Sequence, residues 1–90
     1  MEKETMPAGK QVGKVIHYFD KAMVAVVRLT DNLAIGETVK FVHGESEVAQ
    51  KIESMEVEHE KIQSGKSGDE VAVKVDQGTH EGAMVFKIEE

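Results

Sequence analysis

Gly65-Lys66-Ser67, inside the stretch SGKSGDE (Ser64–Glu70), is how the phosphate-gripping loop of an NTPase ends. A complete loop reads G-x-x-x-x-G-K-[ST], because a first glycine opens the turn so that backbone N–H groups can curl around the phosphates. Counting back from Gly65, that opening position is held by Glu60. A carboxylate there repels the phosphate, so the motif fails and no GTP binding is expected. The stretch is better read as a loop entering a strand. Gly65 and Gly68 would supply positive φ, with Lys66 and Ser67 at an exposed tip.

The remaining chemistry-bearing residues are scattered. His17, His43, His59 and His80 lie in four separate segments, and HEKIQ opens like H-E-x-x-H with Gln63 where the second ligand must stand. Surface or turn histidines are expected, with no metal and no cofactor. Ser54, Ser64 and Ser67 have no nucleophile elbow around them, and no enzymatic activity is expected. HYF (His17-Tyr18-Phe19) gathers half of the Tyr and Phe residues beside a turn, with Lys21 just beyond. One reading is a stacking platform for a base. The other is plain alternation, with Val15 and Phe19 packed on one face and Tyr18 half covered on the opposite one; the pattern favours this second reading.

Those residues sit on a chain of 90 residues with net charge −6, 31% charged and 40% apolar. That is the size of one domain with one modest core. No apolar run reaches the roughly 20 residues of a membrane span, and no membrane association is expected. The absence of cysteine fits a cytoplasmic location. The acidity argues against grip on nucleic acid through phosphate contacts alone. Residues 1–10, polar and holding the lone proline Pro7, are expected as a flexible leader before a domain spanning 11–90.

Along the chain, short β-type runs alternate with turn residues. Val12–Phe19 is rich in β-branched and aromatic residues. Ala22–Leu29 is apolar on both faces. Glu37–His43 alternates, with Val39 and Phe41 together. Val71, Val73 and Val75 share a face, and Met84, Phe86 and Ile88 fall in phase at the end. Such runs indicate a small sandwich or barrel. The segment 46–65 admits two readings. As a helix, it places Val48, Ile52, Met55 and Ile62 near one stripe, capped by Ser46 and closed by Gly65. As strands, it needs a bulge or bend near Glu53-Ser54. Propensity leans to the helix.

Leu33/Ile35-Gly36-Glu37, Ile52-Glu53-Ser54-Met55 and Gly68-Asp69-Glu70-Val71, in that order, resemble domain 2 of the elongation factor Tu family over about residues 12–88. The resemblance implies an all-β, small closed β-barrel, and hence strands in place of the helix over 46–62. It implies a non-catalytic translation-associated module without a GTPase domain, docking on tRNA or other RNA ends, the ribosome or a translation protein. By position Glu56 matches the family's tRNA-end carboxylate, and with His17, Tyr18 and Lys21 it makes up the expected RNA- or partner-binding set. Similar barrels also occur as C-terminal domains of a collagenase-like peptidase family that also modifies RNA. An accessory barrel acting in trans with such an enzyme is the alternative.

Overall fold

The computed structural model describes residues 10–88. The expected leader lies outside the described residues except for Lys10, which opens the first strand. The described chain is all β: β1 (Lys10–Phe19), β2 (Val24–Leu29), β3 (Leu33–Ala34), β4 (Thr38–His43), β5 (Ser46–Lys51), β6 (Met55–Val57), β7 (Glu60–Ile62), β8 (Ser64–Gly65), β9 (Glu70–Lys74) and β10 (Met84–Ile88). Eight strands form one sheet in the order β5-β4-β10-β1-β2-β9-β6-β7, and β3 and β8 form a separate pair. Every ladder is antiparallel.

The sheet has one buried face. Val12, Val15, Ala25, Val27, Leu29, Val39, Phe41, Met55, Val71, Val73 and Val85 pack into a single cluster, which Leu33 of β3 and Ile52, Val75 and Ala83 of the connections complete. Strands from both halves of the sheet contribute, so the sheet must curl over this cluster, as right-handed twist and bulges allow. The turns suit that curvature. Gly44, at φ +61°, begins the two-residue turn that joins His43 to Ser46, a position for which a mirror-image hairpin turn demands glycine.

The closed barrel is corrected. β5 and β7 are the two ends of the sheet order, and no backbone ladder joins them. The reason lies at Ile52. Its N–H donates to the Glu37 carbonyl and its carbonyl accepts from the Gly36 N–H, which holds the end of β5 on the start of β4. The chain then leaves the ladder and resumes at Met55 as a partner of β9. Gln50, 8% exposed, ties β5 to the end of β9. Its Nε2 donates to the Lys74 carbonyl at 3.0 Å, and its Oε1 accepts from the Asp76 N–H at 2.9 Å.

The segment 46–62 is β5, β6 and β7, with the expected break at 52–54, and contains no helix. Packing decides this against propensity: Gln50, Ile52 and Met55 are all buried, whereas a helix would have to find another surface to cover. In β10, Val85 is the buried residue and Met84 is 43% exposed, so the in-phase set Met84, Phe86 and Ile88 lies on the face away from the core.

Candidate functional site

The outer face of the β1-β2-β9-β6 region is built by a bulge. Val15 pairs with Val27, but the next partners are His17 and Val26, so Ile16 is an extra residue. Beyond a bulge the inside–outside phase reverses. Tyr18 therefore turns inward, packs against the core, and directs its hydroxyl to Met23 Sδ at 3.5 Å. Phe19 turns outward and is 54% exposed. The alternation expected from the sequence, with Phe19 inside and Tyr18 outside, is thus reversed.

Registers give the neighbours on that face. His17 lies opposite Val26, Val26 opposite Ala72, and Ala72 opposite Glu56. His17 and Glu56 consequently sit in one cross-strand row, about 14 Å apart at about 4.8 Å per strand. Phe19 lies opposite Val24, two residue pairs along and so on the same face, and its ring stacks on that of His17 with centroids 6.3 Å apart. Of the four residues expected to bind a partner, the structure brings His17 and Glu56 onto one face. Lys21 is exposed in the β1–β2 turn beside it, and Tyr18 is part of the interior.

Between these residues runs a groove of about 470 Å³ whose floor is Phe19, Val24, Val26 and Ala72 and whose rim includes Glu56, Glu58, His59 and Glu70. Glu70 is held by Arg28 at 2.8 Å. Glu56 and Glu58 make no ion pair among the described residues, although Lys61 lies opposite Glu56 in the β6–β7 ladder. Glu58 and His59 form the two-residue turn between Val57 and Glu60, with φ of +53° and +69°. Two consecutive positive φ values define the type I′ turn, which favours Asn-Gly; Glu58 is the less suited of the two residues found there, since His is among the side chains that tolerate left-handed backbone.

Elsewhere the structure assembles pairs that spacing did not foretell. His43 and His80 meet with ring centroids 4.8 Å apart, and His17 Nδ1 lies 3.7 Å from Glu81 Oε2. Among the described residues no three His, Asp or Glu side chains gather around a point. The Lys10 ammonium bonds Asp31; that bond, assisted by the Asn32 N–H, lowers the Asp31 carboxyl below its usual value. No signal in the sequence pairs His43 with His80, because the contact depends on how two distant turns converge.

The Ser64–Glu70 loop is resolved as two different glycine roles. Gly68 has φ +96° and sits third in the turn Lys66–Asp69, closed by Asp69 N–H to Lys66 carbonyl at 3.0 Å. Lys66 and Ser67 are at the exposed tip, as expected. Gly65 does not have positive φ. It is buried in β8, where a Cβ would meet Leu29 Cδ1 at 2.7 Å.

No family model matches the chain. A curated relative, described as an uncharacterized protease of Methanocaldococcus jannaschii, is 28% identical over 81 residues, 89% of this chain. The chain spans only 20% of that relative's length. Two solved structures share the fold. Both are of the C-terminal domain of a putative U32 peptidase from Geobacillus thermoleovorans. The selenomethionine variant superposes with a TM-score of 0.82 at 22% identity, covering 87% of this chain and 99% of that one. The other gives 0.83 at 22% identity, covering 89% and 93%. These relatives carry no link to elongation factor Tu and overturn that resemblance, together with the translation role drawn from it. The motifs behind it, a Gly-acid turn before a V-x-V strand above all, describe turn chemistry that unrelated small β proteins share.

Among the described residues no helix is long and apolar enough to cross a membrane.

Proposed function

We propose that this chain is a non-catalytic accessory β domain that works with a U32-type peptidase core. The supporting observation is one of coverage. The chain matches nearly the whole of a solved domain from the C-terminus of a putative U32 peptidase, while it matches a fifth of a curated protease. In such a protein the unit equivalent to this chain is a single appended domain, and the catalytic groups belong to the larger remainder.

The outer face fits that role chemically. A floor of Phe19, Val24, Val26 and Ala72 with carboxylates at its rim binds and positions a partner. A cytoplasmic setting is part of the proposal, motivated by a chain without cysteine. Affinity purification from the source organism with the tagged chain as bait tests the reading. A U32-family peptidase is expected as the enriched protein; enrichment of other proteins without it would count against the proposal.

A further inference from the structure

We infer that the groove on the outer face of β1, β2, β9 and β6 is a docking site for a polypeptide segment carrying alternating apolar and basic side chains. The inference extends the accessory-domain reading by naming the surface, and rests on it only for the identity of the partner.

Three observations converge. First, Phe19 is 54% exposed, and the bulge at Ile16 is what places it outside; beside it lie Val24, Val26 and Ala72. Scattered apolar residues on a surface need no explanation, but a contiguous set lining a concavity marks a binding surface. Secondly, the rim carries two carboxylates, Glu56 and Glu58, beyond the Glu70 that Arg28 already pairs. Glu56 and Glu58 have no ion-pair partner among the described residues, so an arriving Lys or Arg finds acceptors without first breaking a bond. Charge complementarity of this kind selects a basic segment over an acidic one. Thirdly, the rim residues Glu58 and His59 both occupy left-handed backbone, a conformation that a turn chosen for stability fills with Asn-Gly. Strain held at the edge of a groove is the pattern of residues kept for their side chains.

Fluorescence anisotropy of the whole chain with three labelled synthetic octapeptides tests this: alternating Lys/Leu, alternating Glu/Leu, and alternating Lys/Ser. Saturable binding of the Lys/Leu peptide is expected, with the other two weaker by about tenfold or more. Phe19→Ser should weaken Lys/Leu binding by a similar factor without changing the melting temperature. The Glu56→Gln/Glu58→Gln pair should also weaken it, which keeps the test decisive if Phe19→Ser fails to fold. Glu45→Gln, in the β4–β5 turn, should leave it unchanged and controls for attraction to an acidic protein as a whole. Lys/Leu binding that is absent, or indifferent to the Phe19 and Glu56/Glu58 variants, or equally sensitive to Glu45→Gln, would overturn the inference. Failure here and failure of the accessory reading separate cleanly. A chain that binds the peptidase through Phe19-independent contacts sinks the groove alone. Peptide binding through Phe19 with no peptidase association sinks the accessory reading alone.

Discussion

Gln50 illustrates how much a single side chain does in this sheet. Its amide donates to the Lys74 carbonyl and accepts from the Asp76 N–H, the two bonds that a neighbouring strand's peptide group would otherwise make. Replacing it with an apolar residue of similar size leaves both backbone groups without that partner. Gln50→Leu should cost about 1–3 kcal/mol, read as a lower urea midpoint with unchanged slope; an unchanged midpoint would show that the bonds contribute nothing net. At the β6–β7 turn the expected sign is opposite. Glu58→Asn with His59→Gly supplies residues suited to two positive φ values, and should raise stability by about 1 kcal/mol after the entropic cost of the added glycine. The same double variant removes a carboxylate from the groove, so a gain in stability with a loss of peptide affinity is the joint outcome. Neither feature was fully legible beforehand: the strand reading puts Gln50 on one face with Val48 and Ile52 but cannot name its backbone partners, and turn type depends on register.

At the scale of elements, the strands were largely readable and their faces were not always so. Alternation located β4 and β9 with the correct inward residues, Val39 and Phe41 in one and Val71 and Val73 in the other. It misassigned the end of β1, and for β10 it grouped Met84, Phe86 and Ile88 without deciding which face is buried. In β1 the bulge at Ile16 inverts the phase, and nothing in VIHYF marks the extra residue. In β10 both phases hold apolar residues, and the choice falls to Val85 because it faces Phe41 across the β4 ladder. The two methionines Met55 and Met84 test the assignment. Met55 is 1% exposed and Met84 43%. Met55→Ala should cost about 2–5 kcal/mol, while Met84→Ala should stay within about 0.5 kcal/mol of the parent. Equal losses in chemical denaturation would mean that β10 packs in the other phase. The segment 46–62 was ambiguous for a related reason, since its good helix formers lie on strands held by ladder partners on β4 and β9, which local propensity does not register.

For the whole molecule, the decisive feature is an eight-stranded sheet that buries one face on itself and leaves the other face to solvent. The candidate site was only partly visible in the sequence: His17 and Glu56 were singled out and lie in one row, yet Phe19, the exposed ring between them and the turn, was placed in the core. The short turn motifs read as a translation-factor domain, whereas comparison of whole folds shows the fold shared with the C-terminal domain of a putative U32 peptidase. The proposed accessory role requires association with a peptidase core. Calorimetric titration of the chain into the full-length U32-family peptidase of the same organism measures that directly. Saturable heat with one-to-one stoichiometry, weakened by Phe19→Ser, is the predicted result; heat no greater than dilution across the accessible concentration range would contradict the account.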